Sequence, residues 1–514
     1  MTQLHSVTPP LWADQTQGET PRRYPVLSGH RDVDVAIVGA GITGLTAALH
    51  LKAAGLRVAV VEARRVGSGT TGTSTGNLYA PVGPRLAAIE DKHGEKMLRA
   101  VAQGRSAAID CIQQAISTYQ IRCDFKRVPF YLFSAPDDEA NDEVRAETKA
   151  CARAGLNPFD VPPPGFPFPA TALCGVPHQA QFDPLQYVRG LAAALEGPEC
   201  LIFEDSQVTA TEDGEPCTVS TAAGTITARH VIKATHTPQG RYAVHTAMIP
   251  KREYAMVARV ARPLPDGIYW NANNSWHYSI RPFSNEENHY VMLLGKSHKP
   301  GEQKERHVDV MQRFIRSYFD TEHIDYLWAA QNYQPADLLP YIGTSMLEKH
   351  TWFATGFAAD GLVWGTLAAR AISDAILGVH NDYMDLFDPQ RFTPLASAKN
   401  LAKESIAVSG YMLKDHLFYG QEKALAQVGA GEGKTLKVDG EKVAAYRDEH
   451  GRLSIVSAVC PHMGCIVHWN GLEKSWDCPC HGSRFAVDGT LLEGPSQSNL
   501  ATPLNKDGPD TRSR

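Results

Sequence analysis

The apolar positions of the chain first fall into a clear rhythm at Val33. DVDVAIVG (32–39) is an apolar strand run, AGITGLTAALHLKAAG (40–55) has the spacing of an amphipathic helix closed by Gly55, and LRVAVVEA (56–63) is a second apolar run. Two such strands joined by a helix predict a βαβ unit with a parallel pair. Residues 90–118 read as one long helix, whereas the proline-rich VPPPGFPFPA (161–170) predicts a loop. LIFEDSQVTAT (201–211), TVSTAAGTITARHVIKAT (218–235) and YAMVARV (254–260) alternate like strands. TWFATGFAADG followed by GLVWGTLAARAISDAILG predicts another strand, glycine turn and helix. Residues 396–418 have a helical pattern. From about Ala424 short strands and turns take over, which puts a domain boundary near 420. The polar, proline-containing residues 1–30 read as an arm, and the polar last dozen as a frayed tail.

A chain of 514 residues exceeds what a single core holds, so two or three folding units are expected. The formal charge is −6 with both signs interspersed, which leaves no broad basic field for nucleic acid or an anionic membrane. No apolar run reaches the ~18–20 residues of a membrane span. The opening MTQLHSVTPPLWADQ lacks a basic segment followed by an apolar one, so a soluble, cytoplasmic protein is expected. Six of the ten cysteines (Cys111, Cys123, Cys151, Cys174, Cys200, Cys217) are scattered without ligand spacing and read as small buried thiols. The other four, Cys460, Cys465, Cys478 and Cys480, cluster among histidines, and such clustering calls for a chemical reason.

Gly39-Ala-Gly41-Ile42-Thr43-Gly44 follows the first strand and opens the helix. Gly39 permits a tight turn, Gly41 a close backbone approach to a pyrophosphate, and Gly44 close helix–strand packing, while the helix start offers free N–H groups. Glu62, with Ala63 after it, ends the second strand, where a carboxylate can accept ribose hydroxyls. These features predict a dinucleotide site without deciding between FAD and NAD. Two segments favour FAD. The loop GSGTTGTSTGN (67–77), with Thr70 and Thr71, can run along a second phosphate. The turn ATGFAADG (354–361), with Gly356 and Gly361, precedes a helix whose N-terminus could stabilise charge on a reduced flavin. With HVIKATHTP (230–238) and Asp337-Leu-Leu-Pro340-Tyr-Ile-Gly343, these residues resemble the D-amino-acid oxidase / glycine oxidase superfamily over about residues 30–385. The resemblance implies an adenine contact through the Val208 backbone and places Thr235 near the flavin phosphates.

Cys460-Pro-His462-Met-Gly-Cys465 and Cys478-Pro-Cys480-His481-Gly-Ser483 put two cysteines and two histidines on two loops. Such a set can hold a [2Fe–2S] cluster, with thiolates on one iron and imidazoles on the other, or a tetrahedral zinc. The matched extra cysteines, Cys465 and Cys480, argue against a plain zinc knot. The pattern CxHxGC…CPCHGS resembles Rieske proteins, and those of respiratory complexes more than Rieske ferredoxins. The resemblance implies Cys460, His462, Cys478 and His481 as ligands, a Cys465–Cys480 disulfide, and a hydrogen bond from Ser483 to a cluster sulfide. Phe485 stands where high-potential members carry a tyrosine. A disulfide sits awkwardly with a cytoplasmic location, although one buried beside a cluster can resist the glutathione pool.

The substrate region is less explicit. His178, His236, His277 and His289 are candidate site residues, and Arg281 and Tyr278 in WHYSIRP are candidate catalytic residues, with Trp276 as a substrate wall. In the amino-acid oxidases an arginine just before the D-x-x-P-x-I-G segment holds the substrate carboxylate. Here that stretch, Gln331–Pro335, has none, which weakens an α-amino-acid substrate.

The expected fold is α/β: a Rossmann-like FAD domain with an interleaved α+β substrate domain, then an all-β Rieske domain. Residues 1–30 form an arm. Residues 31–395 form the oxidoreductase domain, with FAD-binding parts at 31–85, 175–240 and 335–395 and substrate parts at 86–174 and 241–334. A helical linker spans 396–420, the Rieske domain 421–505 and a tail 506–514. The expected function is oxidation of a small-molecule amine or amino acid at a C–N bond by FAD. Electrons would leave through one [2Fe–2S] cluster per chain to an external acceptor, a protein or a quinone. A reductase running electrons the other way and a non-enzymatic redox sensor are the alternatives.

Overall fold

The computed structural model describes residues 7–14, 21–136, 139–272, 278–301, 305–391, 425–438 and 440–502. The predicted linker at 396–420, the tail at 506–514, Trp276 and His277 lie outside the described residues. The chain divides into two compact units. The first comprises residues 1–238, 251–298 and 305–397; the second comprises 239–250, 299–304 and 398–514.

The first unit is built on two sheets. In one, the βαβ unit appears as Gly29–Val38, the helix Ile42–Ala53 and Val58–Val61, with Val35 to Val38 beside Val58 to Val61 in parallel register. Gly224–Lys233 pairs parallel on the other side of Gly29–Val38, and Thr351–Thr355 pairs parallel with Gly224–Lys233 in turn. Cys200–Phe203 closes the far edge, parallel to Val58–Val61. Where these inner strands pair, residues 35–38 and 58–61 are apolar and buried, as expected of a parallel sheet covered on both faces. The helix Ile42–Ala53 is buried over most of its surface rather than on one face, since it packs against the helices Gly361–Ile376 and Pro184–Leu195. A Cβ on Gly365 would fall 2.3 Å from Thr43 Oγ1, so that helix crossing requires glycine.

The second sheet of this unit is mixed, its eight strands running from Thr321–Pro335 through Met248–Val260, His289–His298, Tyr278–Ser284, Ile268–Asn271, Lys126–Ser134 and Ala172–Gln181 to Asn77–Leu78. The helix expected over 90–118 is two helices, Leu86–His93 and Glu95–Tyr119. Gly94 separates them at φ +83°, a left-handed conformation that glycine adopts without strain. The proline-rich stretch is irregular. Its Phe166 and Phe168 pack on Phe133 and Tyr269 of the sheet.

The second unit is all β. Gly433–Val438, Glu441–Arg447 and Leu453–Ser457 form an antiparallel meander, and His468–Asn470, Ser475–Asp477, Arg484–Phe485 and Leu491–Glu493 form a second. Two segments distant in sequence complete it. In one, a Cβ on Gly301 would lie 2.9 Å from His468 Cβ and 3.1 Å from the Asp477 carbonyl oxygen. The other contains the short 3-10 helix Ala243–Ala247.

Candidate functional site

In the first unit the proposed cofactor residues line one edge. Gly39, Glu62, Thr235 and Gly356 each follow the C-terminal end of a parallel strand, and Val208 opens the strand after Cys200–Phe203. That edge is where open α/β sheets bind ligands. The three glycines of the turn have different tasks. Gly39 has φ +107°, and a Cβ there would lie 2.6 Å from the Ala234 carbonyl oxygen; one on Gly44 would lie 2.0 Å from the Gly39 carbonyl oxygen. Both are therefore required by the protein's own backbone. A Cβ on Gly41 would meet Thr71 Oγ1 at 3.0 Å, a tight contact with a side chain that can shift and not with backbone.

Ile42, Thr43 and Gly44 form the first helical turn, which lacks a side-chain cap at Gly41; the Ile42 N–H donates to Thr71 Oγ1 at 3.1 Å. The Glu62 carboxylate accepts the N–H groups of Ala40 (2.9 Å) and Arg64 (3.0 Å), and Ala63 is exposed beside it. Burial pushes the Glu62 pKa up, against the pull of those two bonds. Thr70 and Thr71 open the short helix Thr70–Thr73. Thr70 Oγ1 lies 3.1 Å from His236 Nδ1, and the His236 carbonyl accepts from Thr355 Oγ1 at 2.8 Å. Thr235 Oγ1 donates to the Thr237 carbonyl at 2.7 Å. Val208 packs with Val33 and Val61 in a core below the edge. Gly356 has φ +76°, and Gly361 is the first residue of its helix. A positive helix end, a carboxylate and hydroxyls along one edge are a donor set that fits a dinucleotide.

Sequence reasoning missed a polar network at the start of the helix Gly361–Ile376. The Asp360 carboxylate accepts from Tyr79 Oη at 2.6 Å and from the Gly83 N–H at 3.0 Å, with Arg105 Nη2 3.7 Å away. Arg105 is fully buried, donates to the carbonyls of Tyr79, Ala80 and Pro81, and stacks 4.9 Å from Trp364. Near it stands Glu253, hydrogen-bonded to the side chains of Ser297 and Asn332; burial pushes its pKa up, and the Asp360 charge adds to this. No motif marks these residues, because they come together only through the packing of helices and strands distant in sequence.

The weak catalytic candidates are placed less suggestively. Arg281 is buried, donates to the carbonyls of Thr75 and Phe182 (the latter at 3.0 Å), and lies 5.0 Å over Trp12. Tyr278 is fully buried against Phe314, and its hydroxyl has no hydrogen-bond partner among the described residues. Of the histidines, His236 reaches the cofactor edge and packs 4.9 Å from Tyr333. His178 is exposed on Ala172–Gln181, and His289 opens His289–His298, where its Nδ1 meets Ser284 Oγ at 2.9 Å.

In the second unit, two loops mirror each other. Cys460 and Cys478 are each followed four residues later by a glycine of positive φ, Gly464 (+77°) and Gly482 (+79°). The N–H of each glycine donates to the carbonyl of its cysteine, at 2.9 and 3.1 Å. The four proposed ligand residues are all buried. The two ligand thiols are within hydrogen-bond reach of each other. The Cys460 sulfur accepts from Cys478, from the N–H groups of His462 and Met463 and from Ser483, which together bring its pKa down to about 7. The N–H groups of Cys480 and His481 point at the Cys478 sulfur. The histidine rings lie 5.0 Å apart and nearly perpendicular. Burial, and then the charge of His462, lowers the His481 pKa to about 4, so this ring is neutral at neutral pH. His481 Nδ1 is buried with no hydrogen-bond partner among the described residues, as expected of an atom reserved for a metal. The same contact with Cys460, and burial, push the Cys478 thiol up, so the pair holds one proton between its two sulfurs; two paired sulfurs and two neutral imidazoles fit a [2Fe–2S] cluster.

Cys465 and Cys480 are joined by a disulfide, which removes both sulfurs from the ligand set. The Ser483 hydroxyl also accepts the Ser496 N–H at 3.0 Å, and Phe485 is fully buried opposite Trp476. Arg484 pins the exit of the second loop through Glu473 (2.7 Å), Asp477 (3.0 Å) and Glu493 (3.5 Å).

A glycine-turn parallel sheet and a disulfide-clamped pair of Cys–His loops together define an FAD-dependent oxidoreductase that carries a Rieske domain. The FAD dependent oxidoreductase family (DAO) matches residues 34–375 and the Rieske [2Fe-2S] domain residues 421–503, and the chain belongs to this oxidoreductase family. It is similar along almost its whole length to YhfW of Bacillus subtilis (strain 168), whose name describes a Rieske 2Fe-2S iron-sulfur protein. The two are 30% identical over 484 residues, covering 92% of this chain and 94% of that one. It is 24% identical over 406 residues to the gamma-glutamylputrescine oxidoreductase of Escherichia coli (strain K12), covering 75% of this chain and 93% of the relative. Among solved structures, glycine oxidase from Geobacillus kaustophilus shares the fold of the first unit, with a TM-score of 0.57 at 18% identity. The match covers 70% of this chain and 99% of that one. Among the described residues no helix is long and apolar enough to cross a membrane.

Proposed function

We propose that the protein is a dehydrogenase for a small amine or amino acid, and that its electrons leave through the iron–sulfur cluster to an external acceptor, a protein or a quinone. FAD takes two electrons from a C–N bond, and a [2Fe–2S] cluster carries them onward one at a time. The observation that carries the reading is the ligand set in the second unit. Two thiols held by hydrogen bonds and two neutral histidines form a one-electron site within a chain whose larger part is an FAD-dependent oxidoreductase. A simple oxidase needs no such site.

In this reading Gly39, Gly41, Gly44, Thr70, Thr71 and Thr235 hold the pyrophosphate side of FAD, Glu62 the ribose and the Val208 backbone the adenine. Gly356 and Gly361 present the helix start to the flavin ring. Cys460, His462, Cys478 and His481 hold the cluster. Glu253 is the group that suits an amine: a half-buried carboxyl beside Asp360 can accept a hydrogen bond from an amine, and two acids together disfavour a substrate carboxylate. The lack of an arginine in Gln331–Pro335 points the same way, and the relative named for gamma-glutamylputrescine agrees with it. We place the protein in the cytoplasm, with the buried Cys465–Cys480 bridge shielded from thiol exchange. The test is anaerobic mixing with a panel of amines, amino acids and 2-hydroxy acids while the flavin absorbance is followed. Bleaching by an amine is the expected result; bleaching by hydroxy acids alone would overturn the substrate class.

A further inference from the structure

The Cys–His loops are not the whole of the iron–sulfur site. Residues 239–250 lie, by sequence, inside the stretch matched by the oxidoreductase family, yet they belong to the second unit. There the Gly240 carbonyl accepts a hydrogen bond from His462 Nε2 at 3.0 Å. Two further bonds fix the segment to the loops: the Gly240 N–H donates to the Pro495 carbonyl at 3.1 Å, and Arg241 Nε donates to the His462 carbonyl at 3.4 Å. A few residues on, His245 is buried with its ring 5.1 Å from that of His462 and 6.3 Å from that of His481. Its N–H donates to the Tyr242 carbonyl at 3.1 Å, within the 3-10 helix Ala243–Ala247.

We propose that the segment Gln239–Pro250 is a working part of the cluster site: the Gly240 carbonyl holds the outer N–H of the ligand His462, His245 walls both ligand histidines from water, and together they set the cluster's potential. The proposal rests on the assignment of His462 and His481 as ligands. With its proton on Nε2 and shared with a carbonyl, His462 is held in the tautomer that offers Nδ1 to iron. An imidazole polarised in this way is a stronger electron donor to its metal, which favours the oxidised iron and lowers the potential. The wall acts in the same direction. With two thiolates and two neutral imidazoles, reduction leaves the site with one more negative charge. Water would stabilise that charge, and a dry wall does not. Gly240 and His245 are thus positioning residues, and the Rieske stretch 421–503 taken alone lacks one side of its own pocket.

The experiment is an EPR-monitored redox titration of the full-length protein and three variants. Gly240→Ala forces a side chain onto a residue at φ +103°, a conformation that L side chains rarely adopt, and so displaces the carbonyl. It should raise the midpoint potential, with the ratio of reduced to oxidised cluster at a fixed potential increasing severalfold to about tenfold (~59 mV for tenfold). His245→Ala should raise it by less, and His245→Phe, which keeps the wall, should restore the native value. If Gly240→Ala does not accumulate, the His245 pair decides alone. Native potentials in the Ala variants, with the Rieske signal intact, would overturn the proposal. A native protein without a Rieske signal would instead overturn the ligand assignment beneath it.

Discussion

The glycine turn of the first unit and the cysteine–histidine loops of the second both hold a redox group, but with opposite materials. The turn is made of backbone. Its critical feature is space, and adding one carbon at Gly44 would bring that carbon to 2.0 Å from a carbonyl oxygen. The loops are made of side chains. Their critical feature is a set of ligand atoms whose protons have been managed in advance, by hydrogen bonds to Cys460 and by burial of His481. A backbone site is therefore broken by addition and a ligand site by deletion.

The largest expected effects come from exercising that contrast directly. Gly44→Val should abolish FAD binding, read as loss of the flavin absorbance in purified protein, because helix and strand cannot close. Gly41→Val should lose FAD while the fold survives, since the contact it tightens is with the Thr71 side chain, which can shift, and not with backbone. Cys478→Ser should do the reverse, with iron and acid-labile sulfide falling from two each per chain to near zero while FAD is retained. Loss of both cofactors from either single variant would show that the two sites are not independent.

A smaller effect is expected from the support behind the second loop. Arg484→Met removes the guanidinium that Asp477, a fully buried carboxylate, and the half-buried Glu473 share. Removing one partner of a buried ion pair costs about 3–5 kcal/mol. The melting transition and the retention of iron on heating should both fall, whereas flavin binding should not.

How far each region was legible in the sequence follows from the same contrast. Cys460, His462, Cys478 and His481 are close in sequence and carry their chemistry in their side chains, so spacing marked a metal site and the resemblance to Rieske proteins assigned the ligands. The turn was legible because strand, helix and Glu62 surround it in fixed order. The Asp360–Tyr79–Arg105 network was not, since Asp360 lies 281 residues beyond Tyr79 and the three meet only through helix and sheet packing. Gly240 and His245 were equally hidden. A glycine and a histidine in a stretch between predicted strands give no sign that they complete a site more than two hundred residues downstream. The single helix expected at 90–118 failed for a local reason, the left-handed Gly94.

The finest test of the cluster's surroundings is Phe485→Tyr. The added hydroxyl should supply a hydrogen bond to the cluster and raise its potential. A bond worth about 0.5–1.5 kcal/mol corresponds to roughly 20–65 mV for a one-electron couple. An unchanged potential would mean that the hydroxyl at this buried position points elsewhere.

The central claim is that the two cofactors work in series, substrate to flavin to cluster. It is tested most directly by freeze-quench EPR of the intact protein mixed anaerobically with an amine that bleaches its flavin. The account predicts that the reduced Rieske signal grows in after the flavin absorbance falls, without any added reductant. A fully bleached flavin beside a cluster that stays oxidised until dithionite is added would contradict it.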